Sequence, residues 1–368
     1  MAIATAAPAK STKPESLFDQ IQGYDHEQVV FCYDKHTGLK SIIAVHNTVL
    51  GPALGGTRFW NYNTEAEAVF DVLRLSRGMT YKAAAAGLHL GGGKAVIIGD
   101  SHNDKSEALF RRYGKFVNSL NGKYYTAEDV GTTTQDMQDI ARETKFVTGV
   151  PEHMGGSGDP SPFTAYGTFL GVRAAAKTAY GSDNLAGKKV MVQGIGHVGE
   201  VLVKHLTGAG AKVFIYDIHE ARLNEVAKTY GAIPVEAEHV YEMEMDIYSP
   251  CALGATLNSE NIGKLKCAVI AGAANNQLED ERLHGQMLVD KGIVYAPDFV
   301  INAGGLINVA AELEGYNRER VFSEVERIYD RLLDIFKQAG KGKIPTQQAA
   351  MEMAERRLSD IAGLKSRM

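Results

Sequence analysis

Apolar positions in the first half of the chain recur with two different periods, which predicts alternating strands and helices. Short β-rich runs at 28–33 and 39–46 flank turn residues and predict a hairpin. Thr64 is expected to cap a helix, with Glu67 as its capping-box partner. The glycine-rich segment 51–58 is expected to interrupt regular structure. Further predicted elements are strands at 95–98 and 124–127 and helices at 105–120 and 136–142.

The second half alternates strands and helices regularly, which is typical of a doubly wound parallel sheet. Predicted strands lie at 190–193, 211–217, 245–248, 267–271 and 293–296. Predicted helices lie at 163–180, 198–206, 220–230 and 280–290. Two long, charged helices at 318–338 and 346–364 follow the completed sheet, so they are expected to return towards the first half. The pattern therefore predicts an α/β protein.

A dinucleotide fingerprint follows the first strand of this second half, in the segment VMVQGIGHVG at 190–199. Gly194, Gly196 and Gly199 have the G-x-G-x-x-G spacing, between a predicted strand and a predicted helix. The next strand ends on Asp217, 18 residues after Gly199, where a carboxylate can hydrogen-bond an adenosine ribose. A carboxylate there repels a 2′-phosphate, so NAD is favoured over NADP as the cofactor. The alternative is a glycine-rich turn that binds no ligand.

The segment GGSGDPSP at 155–162 has the composition of a linker, and its prolines delay the next helix. We therefore expect two domains, at 1–148 and 149–345, with the final helices 346–368 joining the first. The fingerprint assigns dinucleotide binding to the second domain, which is a Rossmann domain in this interpretation. Ligand sites favour the cleft between two domains, so the remaining chemistry is expected there.

Composition excludes several classes of protein. Of 368 residues, 45% are hydrophobic and 23% charged, which is ordinary for a globular protein. A net charge of −5 does not favour nucleic-acid binding, and no apolar run is long enough for a membrane span. Three cysteines without C-x-x-C spacing and scattered histidines favour a reducing compartment and no metal site. Residues 1–16 are expected to form a disordered tail without a targeting signal, so the cytoplasm is the expected location.

Two lysines in the first domain lie among alanines and glycines. Lys82 precedes four alanines, and Lys94 lies between three glycines and an apolar strand. Burial lowers the pKa of a lysine, which allows an amine to exchange protons near neutral pH. Asp129 follows a predicted strand and is a natural partner. For each lysine alone, an exposed head group on a buried stem is the competing interpretation.

Eight ordered motifs resemble those of the amino-acid dehydrogenase superfamily that acts on glutamate, leucine, phenylalanine and valine, and they look most like its leucine branch. They are LGPALGGTR (50–58), GMTYK (78–82), LGGGK (90–94), TAEDVG (126–131), PSPFTAYG (160–167), PCALG (250–254), AANNQL (273–278) and INAGGLIN (301–308). The resemblance covers about 25–316, and the N-terminal tail and last two helices match more weakly.

The resemblance implies a role for each matching residue. Lys82 matches the lysine that binds the substrate α-carboxylate, Lys94 the catalytic lysine that activates water, and Asp129 the proton shuttle. Thr164 and Asn275 match residues near the nicotinamide. The other expected cofactor-binding residues are Gly194, Ile195, Gly196, His197, Val198, Gly199, Asp217, Cys251, Ala252 and Ala273.

The same matching implies an apolar side-chain pocket, in which Leu54 replaces the lysine that glutamate enzymes use for the side-chain carboxylate. A buried leucine cannot offset the desolvation of a carboxylate, so glutamate is disfavoured. The expected substrate-binding residues besides Lys82 are Leu54, Gly55, Gly56, Met79, Ala127, Leu306 and Val309. Leu306 occupies a position where leucine enzymes tend to have valine, which predicts a slightly smaller pocket that favours valine or isoleucine modestly. Alternatively, Leu306 and Val309 are ordinary packing residues.

These features together favour NAD-dependent, reversible oxidative deamination of branched-chain L-amino acids to 2-oxo acids and ammonia. Two alternatives remain open: an enzyme of the same class that prefers phenylalanine or valine, and a nucleotide-binding sensor without catalysis. The resemblance also implies a homo-oligomer, octameric in the leucine branch. Closure of the two domains over the cleft is expected, because a neutral lysine and hydride transfer need dry surroundings.

Overall fold

The computed structural model describes residues 16–252 and 254–365. The predicted N-terminal tail therefore lies outside the described residues, apart from Ser16, which caps the first helix. Elements of the first half are α1 (Leu17–Tyr24), β1 (Gln28–Tyr33), β2 (Lys40–Asn47), β3 (Ala53–Trp60), α2 (Glu65–Ala85), β4 (Gly91–Ile98), α3 (Glu107–Ser119), β5 (Tyr124–Glu128) and α4 (Thr134–Ala141). Their five strands form one sheet in the order β1-β2-β4-β3-β5.

The predicted hairpin is confirmed, since β1 and β2 pair antiparallel with Gln28 opposite Val45. β4 is antiparallel to β2 and parallel to β3, which is in turn parallel to β5. Parallel neighbours end at the same edge of a sheet, so the chain that follows β5 lies beside the ends of β3 and β4. This edge carries the candidate site.

The expected break at 51–58 is wrong, because β3 is a buried strand between β4 and β5. Its glycines allow the neighbouring strands to approach. A Cβ at Gly55 would lie 1.7 Å from the Gly93 carbonyl oxygen, and one at Gly56 would lie 2.5 Å from that of Glu128. Glycine inside a strand thus indicates close backbone approach here rather than a turn.

Helix α2 begins where predicted, and the Thr64 hydroxyl accepts a hydrogen bond from the Glu67 amide. The return hydrogen bond of the predicted capping box is absent from this cap, because the Glu67 carboxylate accepts from the Asn63 backbone amide instead of the Thr64 amide. The helix continues without a break to Ala85, so Lys82 lies in its last turn. A Cβ at Gly92 of β4 would lie 2.1 Å from the Thr80 amide nitrogen, so α2 packs closely on β4.

The second half forms a six-stranded sheet of parallel strands with helices between them, so the predicted doubly wound α/β fold is confirmed. The strand order is β11-β10-β9-β6-β7-β8. Its elements are α5 (Ser161–Tyr180), β6 (Lys189–Gln193), α6 (His197–Gly208), β7 (Lys212–Tyr216), α7 (Glu220–Tyr230), β8 (Ile233–Pro234), β9 (Ile247–Pro250), α8 (Ser259–Lys264), β10 (Val269–Ile270), α9 (Glu281–Asp290) and β11 (Val294–Tyr295).

Several boundaries differ from the prediction by one to four residues, and two of these differences have a clear reason or direction. The strand expected at 245–248 is β9, two residues later. Helix α5 begins at Ser161, ahead of Pro162, although prolines were expected to delay it. Proline is tolerated in the first turn of a helix because its missing amide hydrogen would have no partner there.

After β11 the described residues form four α-helices: α10 (Asp298–Ile301), α11 (Gly304–Ala310), α12 (Arg318–Gly342) and α13 (Thr346–Lys365). The pattern did not predict α10 and α11. In α13, Arg357 donates hydrogen bonds to the carbonyl oxygens of Ala84 and Gly87, at the end of α2. The last helix thus contacts the first half of the chain. None of the described helices is both long and apolar enough to cross a membrane.

Candidate active site

The centre of the candidate site is an ion pair between Lys94 on β4 and Asp129, which directly follows β5. Lys94 Nζ lies 2.9 Å from Asp129 Oδ2, and the Lys94 residue is only 6% exposed. The strand register explains this contact, because Thr57 of β3 pairs with Ala95, next to Lys94, and with Glu128, next to Asp129. The structure therefore brings the two residues predicted to be catalytic into direct contact.

A second cation contacts the same carboxylate. Arg58, on β3, places Nε 3.2 Å from Asp129 Oδ2. Burial would raise the pKa of Asp129, but Lys94 and Arg58 outweigh it and hold that pKa below its usual value. Sequence reasoning missed Arg58 as a functional residue, because the GGTR motif was interpreted as a break between elements.

Lys82 extends the charged site from the last turn of α2. Burial lowers its pKa to about 8, and nearby Lys94 adds to this effect, whereas Asp298 and Asp129 oppose it. Asp298 begins α10 and is buried, and burial raises the pKa of this carboxyl. Sequence reasoning missed Asp298 too, and no local pattern marked it. Both halves of the chain therefore contribute charge to the site.

An apolar cluster lies beside these charges and contains four of the residues predicted for the side-chain pocket. Leu54 from β3 and Leu306 from α11 are buried in it, and Met79 from α2 and Val309 from α11 pack against it. Ala127 lies opposite Gly56 in the register of β5 and β3. The cluster joins the two halves of the chain, so its lining depends on how α11 packs on the first sheet.

The fingerprint glycines form the turn between β6 and α6. Gly194 has a φ of +92°, and a Cβ at Gly199 would lie 2.1 Å from the Gly194 carbonyl oxygen, so both positions require glycine. Gly196 is the N-cap of α6 without a side-chain cap, and a Cβ there would meet no atom within 4 Å. The turn thus leaves a helix N-terminus open, which fits the pyrophosphate of a dinucleotide. His197 and Val198 form the first turn of this helix.

Asp217 follows β7 and lies against the same turn. Its Oδ2 accepts a hydrogen bond of 2.9 Å from the Ile195 amide, and its Oδ1 accepts one of 2.9 Å from the His219 amide. The carboxylate therefore stabilises the glycine turn in addition to any contact with a ribose. Lone pairs remain for a ribose hydroxyl, since a carboxylate has about four acceptor sites.

The other predicted cofactor residues lie on loops that follow β9 and β10 and at the start of α5. A Cβ on Gly194 would lie 2.7 Å from Ala252. Cys251 Sγ is 3.5 Å from the Ala273 amide nitrogen, which donates to it. Asn275 Oδ1 accepts a hydrogen bond from the side-chain Nδ2 of Asn302 at 2.8 Å. Thr164, in the first turn of α5, donates its hydroxyl to the Pro160 carbonyl oxygen and lies beside Gly305.

Among residues 16–252 and 254–365, no group of three or more histidine, cysteine, aspartate and glutamate side chains is arranged to hold a metal ion. The three cysteines are free. The polar groups gathered at the site are therefore amines, carboxylates and amides, which suit proton transfer and the binding of charged small molecules.

Comparisons with known proteins identify the family of the chain. The family model described as "Glu/Leu/Phe/Val dehydrogenase, dimerisation domain" matches residues 26–146, and the model "Glutamate/Leucine/Phenylalanine/Valine dehydrogenase" matches 155–219 and 214–364. Leucine dehydrogenase from Thermoactinomyces intermedius is 57% identical over 350 residues, which cover 95% of each chain. Leucine dehydrogenase from Geobacillus stearothermophilus is 55% identical with the same coverage.

A solved structure extends the likeness to three dimensions. The crystal structure of L-tryptophan dehydrogenase from Nostoc punctiforme superposes with a TM-score of 0.84 at 48% identity, covering 94% of this chain and 99% of that one. Family models span most of the chain, and relatives above half identity cover nearly all of it. The chain therefore belongs to the Glu/Leu/Phe/Val dehydrogenase family of amino-acid dehydrogenases.

Proposed function

We propose that the protein catalyses the reversible, NAD-dependent oxidative deamination of branched-chain L-amino acids to 2-oxo acids and ammonia. The observation that carries this proposal is the buried Lys94–Asp129 pair, which lies near Lys82 and beside an apolar cluster. Leucine dehydrogenases at 52–57% identity support the choice of a branched-chain substrate. L-tryptophan and phenylalanine dehydrogenases at about half identity keep a different side-chain preference open to test.

Lys82 binds the substrate α-carboxylate in this proposal. An ammonium group whose pKa is about 8 in the free protein becomes fully charged when a carboxylate lies beside it, because opposite charges favour the ionised form. The aliphatic side chain of the substrate then enters the cluster around Leu54, Met79, Leu306 and Val309, next to Gly55, Gly56 and Ala127. A glutamate side chain is excluded because its carboxylate would lose its hydration against Leu54.

Asp129 and Lys94 divide the proton transfers. Asp129 accepts a proton from the substrate amino group. A bound dinucleotide would supply the acceptor for the hydride that leaves the substrate α-carbon. Lys94 first releases its ammonium proton to solvent, and as the neutral amine it takes a proton from the water that adds to the iminium carbon. Asp129 returns its proton to the nitrogen, the C–N bond breaks and ammonia leaves, and the Asp129 carboxylate takes the hydroxyl proton as the 2-oxo acid forms.

The family implies a dinucleotide cofactor, and we propose NAD. Asp217 supports this choice, because its carboxylate lies at the turn and would repel the 2′-phosphate of NADP. In this proposal Cys251, Ala252, Ala273 and Asn275 contribute to the wall of the same site, and Thr164 contacts the nicotinamide.

The test is a set of initial rates with leucine, valine, isoleucine, phenylalanine, tryptophan and glutamate, each with NAD and with NADP. We expect turnover of the three branched-chain substrates with NAD. Preference for an aromatic substrate would refute the substrate class, and equal rates with NADP would refute the role of Asp217.

A pair of lysine variants tests the chemistry. Lys94→Ala is expected to lower kcat by at least ~10³-fold, since it removes the group that activates water. Lys105→Ala is the matched control, because the Lys105 ammonium pairs with Asp136, at 2.6 Å, and not with Asp129. Near-normal turnover by Lys94→Ala would reject the mechanism and favour a nucleotide-binding sensor.

We also propose a homo-oligomer, an octamer as in the leucine branch, with a cytoplasmic location. The "dimerisation domain" in the description of the first family model supports association. We propose the domain limits 1–148 and 149–345, with 346–368 joining the first domain. The two separate sheets and the hydrogen bonds from Arg357 to the end of α2 support these limits. Light scattering during size-exclusion chromatography measures the subunit number.

A further inference from the structure

We propose that Arg58 is a positioning residue that holds the Asp129 carboxylate in place and keeps it ionised for proton transfer. This inference rests on the proposed function, in which Asp129 carries the proton. Arg58 Nε and Lys94 Nζ both make their closest contact with Oδ2 of Asp129, at 3.2 and 2.9 Å. Oδ1 is then the oxygen that exchanges a proton with the substrate nitrogen.

Arg58 is itself held by a second carboxylate. One terminal nitrogen of its guanidinium lies 2.8 Å from Asp71 Oδ2 on α2, and the Tyr62 hydroxyl donates to the same oxygen at 2.8 Å. The guanidinium thus uses two of its nitrogens to bridge two carboxylates, one from α2 and one from the chain after β5. Only arginine has this fork, since a lysine ammonium is a single point charge.

The charges around Asp129 come from each element packed against it. Lys94 on β4 and Arg58 on β3 contact it. Lys82 on α2 interacts with the charges of both Asp129 and Asp298, and Tyr124 on β5 interacts with that of Asp129. The two contacting cations are no more than about 6 Å apart, because they share one oxygen. If Arg58 loses its charge, the Lys94–Asp129 pair binds its proton more tightly. The acidic limb of the kcat/KM profile must then move to higher pH.

The test compares pH profiles of Arg58→Gln and Arg58→Lys with that of the wild type. Arg58→Gln is expected to shift the acidic limb upward by about one pH unit and to lower kcat roughly 100-fold at neutral pH, since the carboxylate also loses its position. The KM for the amino acid should stay within about threefold, because Lys82 and the apolar cluster still bind it. Arg58→Lys keeps the charge, so its limb should remain near that of the wild type while kcat stays roughly tenfold low.

Two further variants keep the test decisive. Arg74→Gln is the matched control: the Arg74 side chain is 42% exposed and its ion pair is with the other oxygen of Asp71, at 3.1 Å, so its profile should match the wild type. Asp71→Asn weakens the hold on Arg58 and should lower kcat with a smaller shift of the limb. Dinucleotide affinity and circular dichroism report folding of each variant.

An unshifted limb in Arg58→Gln, or an equal shift in Arg58→Lys, would overturn the positioning role. If Arg58→Gln does not fold, the result for Asp71→Asn decides, and wild-type kinetics in that variant would overturn the inference. Failure of the proposed function is a different outcome, since it is measured by turnover of Lys94→Ala. The two hypotheses therefore fail separately.

Discussion

Substrate preference should change when α11 loses methyl groups where it faces the apolar cluster. Leu306 is 7% exposed and belongs to the cluster with Leu54, and Val309 packs against it. Both residues lie on a helix contributed by the second half of the chain. Leu306→Val and Val309→Ala each enlarge the space for a substrate side chain without adding charge. Each variant should therefore shift the preference from valine towards leucine.

The magnitude follows from the number of carbons removed. Burial of one methylene contributes about 0.8 kcal/mol, and about 1.4 kcal/mol changes a rate ratio tenfold. Leu306→Val removes one such group, so the ratio of kcat/KM for leucine to that for valine should rise roughly fourfold. Val309→Ala removes two, but leucine exceeds valine by only one methylene, so the same bound of roughly fourfold applies to it. These are upper bounds because neighbouring side chains relax into the vacated space.

The assay measures kcat/KM for leucine and valine from the absorbance of the reduced cofactor, with both substrates tested on one enzyme preparation. The ratio cancels any loss of active protein. Val325→Ala is the matched control, because Val325 is fully buried on α12 outside this cluster and its loss lowers stability alone. A ratio that stays at the wild-type value in both α11 variants would show that they are ordinary packing residues.

Three further predictions concern pH and the cofactor. The rings of His26 and His46 meet edge to face with their centroids 4.8 Å apart, and burial lowers the pKa of each to about 4. The stability this contributes is present above the unfolded pKa of 6.5 and is lost as the pH falls towards 4, by about 2 kcal/mol per histidine at pH 5. Urea midpoints at pH 7 and 5 should therefore fall less for His46→Gln than for the wild type, and an equal fall would contradict this reasoning. The pKa of Lys82 is about 8, so binding of a 2-oxo acid should be accompanied by proton uptake, and the affinity should fall by up to tenfold per pH unit above 8. Calorimetry in two buffers measures the uptake, and its absence would refute this role of Lys82. Gly199→Ala should weaken dinucleotide binding at least ~10-fold, because the new Cβ would lie 2.1 Å from a carbonyl oxygen. Gly208→Ala in the same helix should bind the dinucleotide normally, since a Cβ there would meet no atom within 4 Å. Equal affinities of the two variants by fluorescence titration would refute the steric argument.

Local features of the sequence determined much of the fold and the position of the cofactor turn. The turn at 194–199 was predicted because the glycine spacing and the flanking periodicities are encoded within one short segment. Helix α7 occupies the predicted residues, since a regular apolar stripe and a final glycine mark both of its ends. Such elements depend on residues that are close together along the chain, and these can be identified from the sequence alone.

The assembly of the site depended on tertiary structure. Asp129 lies 71 residues from Arg58 in sequence, and nothing local indicates that they touch. The GGTR segment looks like a break until β4 and β5 are placed against it, because its glycines are explained only by the carbonyl groups that occupy the space of their side chains. Asp298 and α11 come from the other half of the chain, so they reach the site only after both halves have packed.

The sequence by itself therefore determined which residues are available for catalysis and cofactor binding: two lysines, a carboxylate and a glycine turn with its acidic partner. The tertiary structure decided which charges share an oxygen and which apolar side chains line one cluster. The physical reason is distance along the chain. Ion pairs and packing act over a few ångströms in space, and strand register and helix packing decide which distant residues come that close.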